Sequence, residues 1–355
     1  MPAGPPCPSE IPTYYPLTLH IIAGISIPIN FIGFYLVWFQ SPKMLGYKYC
    51  LCYLQFASFL TEMHMSFICP GYYFFPLTGG FNTGGQFISS HLSITIYTFI
   101  FSFEVPSTLL CFIYRHNATK NINRGYSSKL YLEKLFLILT HLFPFSSAFC
   151  MFQSKLTPQQ RMDYVNNNFP QCLEWLKFEA FEVYDYHPNR WLVALGAVVF
   201  ATIFVAYSYA MTLGVHTMII LQKFRKSMSR QTYQMHKTAL FSLIMQIVIP
   251  GVLLVAPLSF CMFVIIMEEV GLQELATGSM FFVASHSMCS SAVMILSNPR
   301  YRTVLLEKTL KALGLSSVTI AARSGVEPSQ NSFAPTTTSV VSVARRASQL
   351  TIREF

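Results

Sequence analysis

Between Glu10 and Lys43 the chain carries no Asp, Glu, Lys or Arg. A helix needs about 20 consecutive, mostly apolar residues to cross a bilayer, and the run from Tyr15 to Phe39 supplies them. The pattern returns along the chain. A second run, Tyr49 to Cys69, is interrupted only by Glu62. Charges are absent again from Glu62 to Glu104, a stretch too long for one helix. Pro70-Gly71, Pro76, Gly79-Gly80 and Gly84-Gly85 break it, predicting a tight loop over 70–86 and a third span from Phe87 to Tyr114. Further spans are expected over Leu135–Phe152, Trp191–Leu221, Ala239–Met267 and Leu275–Leu296. The runs are rich in Ile, Leu and Phe without a period of two, so they read as helices, not barrel strands. Charged residues make up 11% of the chain and apolar types 53%, against about 25% charged in a soluble domain. A disordered chain and an ordinary soluble enzyme are excluded. The expected fold is an all-α membrane protein, a seven-transmembrane-helix bundle.

The distribution of Lys and Arg orients it. With the amino terminus outside, the cytoplasmic segments 40–48, 115–134, 222–238 and 297–355 hold 20 of the 24 basic residues. The other four lie in 153–190, where Asp163, Glu174, Glu179, Glu182 and Asp185 outnumber them. The net charge of +9 thus reflects an inside bias and attraction to anionic membrane lipid, not a nucleic-acid surface. The expected organisation is an extracellular terminus over 1–14, the bundle over 15–296, a juxtamembrane amphipathic helix over 297–314 and a disordered Ser/Thr-rich cytoplasmic tail over 315–355. Arg345-Arg346-Ala347-Ser348 makes Ser348 a candidate phosphorylation site in that tail. The sequon at Asn117 falls on the cytoplasmic side and is expected to stay unmodified.

No catalytic or metal-ligating motif is present, and no cofactor is called for. The chain reads as a non-enzyme. Its nine cysteines lack metal spacing. Cys7, Cys69 and Cys172 fall at or near the oxidising face, and Cys69–Cys172 is the candidate disulfide; most of the others read as small apolar packers. Two carboxylates stand inside spans, where an unpaired charge is costly. Glu62 is 13 residues into the second span, suited to a polar ligand group or to a bond with a neighbouring helix. Glu104, low in the third, reads equally as a switch residue or as an acid snorkelling from the helix end. Pro250 and Pro257 weaken the sixth span twice.

Several segments resemble one family. They are His20, Asn30-Phe31-Ile32-Gly33-Phe34-Tyr35-Leu36, Ser41-Pro42-Lys43, Tyr47-Lys48-Tyr49 through Gln55, and Glu62-Met63-His64. Pro70, Pro76, Glu104, Ser107, Cys111-Phe112, Arg115-His116 and Asn298-Pro299-Arg300-Tyr301-Arg302 continue the series. In order and spacing over residues 10 to 305 these resemble the nematode serpentine chemoreceptors of class I, with class H as close neighbour, a divergent G-protein-coupled receptor family. The resemblance implies a receptor for a small odorant or pheromone-like molecule, acting through a heterotrimeric G protein. It further implies a multi-pass plasma-membrane protein of the cilia of chemosensory neurons.

In a receptor of this shape the cavity is expected between helices in the outer half. Glu62, His91, Thr95, Ser285 and His286 are its polar candidates, with Phe204 and Phe260 among the apolar lining. At the inner face, Arg115, His116, Lys223, Arg225 and Lys226 are candidates for G-protein coupling, joined by Glu104 from within the third span. The competing reading is a seven-helix transporter or ligand-gated channel. That class calls for polar residues repeated at mid-membrane depth, or helices broken in paired positions.

Overall fold

The computed structural model describes residues 7–41, 45–84, 88–120, 130–227 and 229–312. The tail with Ser348, and the last two residues of the juxtamembrane helix expected over 297–314, lie outside the described residues. The first helix, α1 (Tyr14–Gln40), is followed by α2 (Leu45–Met63), which widens into a π turn over His64–Ile68. The third span is two helices, α3 (Ser90–Ser102) and α4 (Glu104–Lys120). Pro106 has no N–H to return to Ser102, so the ladder breaks beside Phe103. Then come α5 (Leu130–Gln153), the short α6 (Pro158–Asn168) and α7 (Arg190–Lys223). The sixth span runs as α8 (Arg230–Pro250), a π turn over Gly251–Val255 and α9 (Ala256–Met267). The turn widens where Pro257 cannot donate. The chain closes with α10 (Gln273–Ser297) and α11 (Pro299–Ala312).

Six of these helical stretches are long and apolar enough to cross a membrane, and α2 makes the seventh. Lys48, Gln55 and Glu62 lower the hydropathy of α2. The outward side of the bundle is greasy, with Leu17, Phe31, Phe152, Phe200 and Phe204 all exposed. That is the surface hydrocarbon requires and water penalises.

The loops expected to be irregular contain a small antiparallel sheet. Strands β1 (Gly71–Tyr73), β2 (Gly79–Asn82) and β3 (Phe181–Val183) pair in that order, with Tyr72 opposite Phe81 and Gly80 opposite Glu182. A Cβ on Gly79 would meet the Glu182 carbonyl oxygen at 2.8 Å, so only glycine permits this pairing. Phe74 packs edge-on against Trp175 and Phe181, with ring centroids 5.0 and 5.2 Å away. Below, Tyr15 meets Tyr72 and Phe281. This aromatic core joins the sheet to α1 and α10 and covers the outer end of the bundle.

A disulfide ties the amino terminus into the same lid, and it corrects the expected pairing. Cys172 is bonded to Cys7, not to Cys69, which is free. Residues 7–13 run back over the lid, where the Trp175 indole donates to the Pro8 carbonyl at 2.9 Å. That contact carries Cys7 to within a Cα separation of 5.3 Å. An end closed by a disulfide agrees with an oxidising, external side.

Candidate functional site

The polar groups buried in the bundle converge on α10. His286, halfway along it, is fully buried, and its Nδ1 donates to the Val283 carbonyl at 2.7 Å. Its Nε2 lies 2.9 Å from Oε1 of Glu104, the first residue of α4. Glu104 is itself 3% exposed. The alternative of a snorkelling acid is therefore corrected: the break at Phe103 turns Glu104 inward, and His286 holds it there. Glu62 reaches α10 from the other side, accepting the Met288 N–H at 2.8 Å. Each carboxylate thus has a polar partner, as hydrocarbon demands.

One turn further in, a hydrogen-bond network joins α1, α2 and α10. Asn30 donates to the Ser26 hydroxyl at 2.8 Å and accepts from Ser291 at 2.6 Å and Ser287 at 3.2 Å. The Gln55 amide donates to the Asn30 carbonyl and to the Ser291 hydroxyl at 3.0 and 3.2 Å. Beside it, Leu54, Gln55, Ser58, Gln246 and Ser290 border a cavity of about 10 Å³, roughly the space one water needs. Sequence reasoning missed this layer. Its signal was nonetheless present, in Asn30 and Gln55 inside bilayer-length runs and in Ser287 and Ser291 one helical turn apart.

The other expected ligand residues disperse. His91 sits at the top of α3 and pins the lid, with Nδ1 2.9 Å from the Tyr184 hydroxyl and Nε2 donating to the Phe152 carbonyl at 3.1 Å. Thr95 returns its hydroxyl to the His91 carbonyl, and Ser285 to the Phe282 carbonyl. Phe260 is half-buried against the core below the lid. Phe204 is corrected. It is 66% exposed, because α7 turns the face of Ala206, Ala210, Gly214 and Thr217 inward and leaves its large side chains outside.

At the inner end α4 continues to Lys120, beyond the expected boundary at Tyr114. Arg115 and His116 are consequently buried inside the bundle end, a correction to their expected place on its surface. The Arg115 guanidinium lies 3.6 Å from the centre of the Tyr47 ring, a cation–π contact. His116 Nε2 meets His216 Nδ1 at 2.8 Å, joining α4 to α7. Lys223, the last residue of α7, and Arg225 and Lys226 just past it are exposed. The Asn117 amide of the sequon donates to Glu133 at 3.1 Å, within this same region. Among the described residues, no group of three or more His, Cys, Asp or Glu could hold a metal ion.

Seven membrane-type helices around a sealed polar core, with a disulfide-tied lid at one end and exposed basic residues at the other, define a serpentine multi-pass membrane protein. The model of the family described as serpentine type 7TM GPCR chemoreceptor Sri matches residues 5–305. The chain belongs to that nematode chemoreceptor family. No curated protein matches it.

Proposed function

We propose that the chain detects a small, weakly polar odorant- or pheromone-like molecule and signals through a heterotrimeric G protein. Its place of action would be the plasma membrane of sensory cilia. Family membership supports the receptor role. The observation that supports the ligand class is the set of buried polar groups on α10, where His286 meets Glu104 and the Met288 N–H meets Glu62, beside an apolar core rich in aromatic side chains. A few polar groups under an apolar cover suit a ligand with one or two hydrogen-bonding atoms and little charge. Glu62 and His286 are the proposed polar contacts, Phe260 the apolar one, and His91 and Thr95 act through the lid and the top of α3.

Coupling is proposed at the exposed Lys223, Arg225 and Lys226. Glu104 acts on it from a distance, because its bond to His286 ties α10 to α4, the helix that carries Arg115 and His116 near its inner end. The test is a ligand panel read out as G-protein activation in cells expressing the chain. Once an agonist is found, replacing His91, Thr95 and His286 singly by Ala should change potency in at least one case. Reversing Lys223, Arg225 and Lys226 to Glu should abolish signalling at normal surface levels. Unchanged potency in all three Ala variants moves the ligand site elsewhere, and persistent coupling in the charge reversal removes the basic residues from the partner contact.

A further inference from the structure

The inner half of α7 carries a cleft against α8. Met211, Val215, Met218, Ile219 and Gln222 of α7 and Ile244 of α8 border a cavity of about 260 Å³. Met211, Val215 and Ile219 are 43, 57 and 55% exposed, and α7 is the least covered of the apolar spans. In a bilayer such a cleft opens to hydrocarbon, not to water. From Met211 to Gln222 the helix rises about 16 Å, which matches one leaflet of a core about 30 Å thick. Directly beyond Gln222 stand Lys223, Arg225 and Lys226, all exposed, at the end the Lys/Arg distribution places in the cytoplasm.

We propose that this cleft binds one anionic phospholipid of the inner leaflet. An acyl chain lies along α7 from Met211 to Gln222, and the headgroup phosphate rests against Lys223 and Lys226. Leaflet-length apolar lining ending in a cationic rim has the order of parts found in the lipid itself. A second copy of the chain packed on this face would set the same basic cluster against itself, like charge against like.

The experiment uses the full chain in nanodiscs of phosphatidylcholine mixed with phosphatidylserine, with retained lipids counted by native mass spectrometry. Phosphatidylserine should be retained about thirtyfold over phosphatidylcholine, the preference two lysines near the headgroup supply. Filling the cleft with Ile219→Trp should reduce that retention severalfold, and so should Lys223→Gln combined with Lys226→Gln. Arg300→Gln, also basic and exposed, should leave it unchanged. Val215→Phe is a milder filling on a lipid-facing position and serves if the Trp variant does not fold. Loss with the lysine variant but not with either filling would reduce the effect to surface attraction and overturn the site. Retention in every variant overturns it as well, and so does a cross-linked dimer through Val215→Cys. No agonist or G protein enters the measurement, so its outcome is separate from that of the receptor reading.

Discussion

Glu104 and His286 stand 182 residues apart in the chain and 2.9 Å apart in the bundle. The contact joins the start of α4 to the middle of α10, with both side chains almost fully buried. Nδ1 of the ring already donates to Val283. The pair is neutral overall whether the shared proton rests on nitrogen or on oxygen, and neither group could remain alone in hydrocarbon at the same cost.

Removing one member should therefore cost more than removing both. Glu104→Leu or His286→Leu alone is expected to destabilise by about 3–5 kcal/mol, because the remaining group is buried without its partner. The double variant should recover most of that loss. Thermal unfolding of the four proteins of this cycle measures the coupling. Simple additivity would show that the two residues do not depend on each other.

The disulfide gives a second contrast, between Cys7 and Cys69. Cys172→Ser or Cys7→Ser should cost about 2–5 kcal/mol, since the bond closes a loop of well over a hundred residues. Cys69→Ser, a change at a free cysteine, should stay within about 0.5 kcal/mol. Melting with and without reductant checks both: reductant should lower the melting temperature of the native chain and of Cys69→Ser, but not of the Cys7 variant. A reductant-sensitive Cys7→Ser protein would place the bond elsewhere.

The bundle was legible because a span has to exclude charge, and charge-free runs survive in a linear reading. Buried polar groups were legible for the same reason, since Glu62, Glu104 and His286 interrupt such runs. Their partners were not: which helix meets His286 depends on helix rotation, and Glu104 faces it only because Pro106 breaks the third span. Phe204 shows the converse problem. Aromatic type does not say which way a side chain points, whereas the small residues at 206, 210 and 214 mark the face of α7 that packs. The sheet was hidden by size and distance. Strands of three or four residues carry little period, and β3 lies about a hundred residues from its partner β2.

The lid should be sensitive to pH through Glu182. Its side chain is 5% exposed, and Oε2 lies 3.6 Å from Nη1 of Arg161. Burial raises its carboxyl above the ordinary 4.5, while Arg161 and Lys155 pull it back only in part. The folded lid therefore holds the proton to higher pH than the unfolded chain does. The stability this contributes is full below about 4.5 and is lost as pH rises through the folded value. Glu182→Gln should flatten the dependence and gain stability at neutral pH. A melting temperature that climbs between pH 4.5 and 7 in the native chain, and climbs less in the Gln variant, would reverse the sign.

Gly33 is expected to be the least replaceable glycine of α1. A Cβ there would collide with the Gln55 side-chain amide and lie 3.3 Å from the Met294 methyl. The Gln55 amide is the group that bridges Asn30 of α1 and Ser291 of α10. Gly33→Ala must push it away, leaving the Asn30 carbonyl and the Ser291 hydroxyl without that donor. Overpacking of this kind costs about 1–3 kcal/mol, and a lost partner for a buried polar group adds about as much. Gly24, on the same helix, has nothing within 4 Å of such a Cβ, so Gly24→Ala should be neutral or gain up to about 1 kcal/mol from helix propensity. If the collision is the cause, Gln55→Ala should remove it. Gly33→Ala made on that background should then cost clearly less than on the native chain. An equal cost on both backgrounds, measured by thermal unfolding, would mean that Gly33 is needed for its backbone and not for the approach of Gln55.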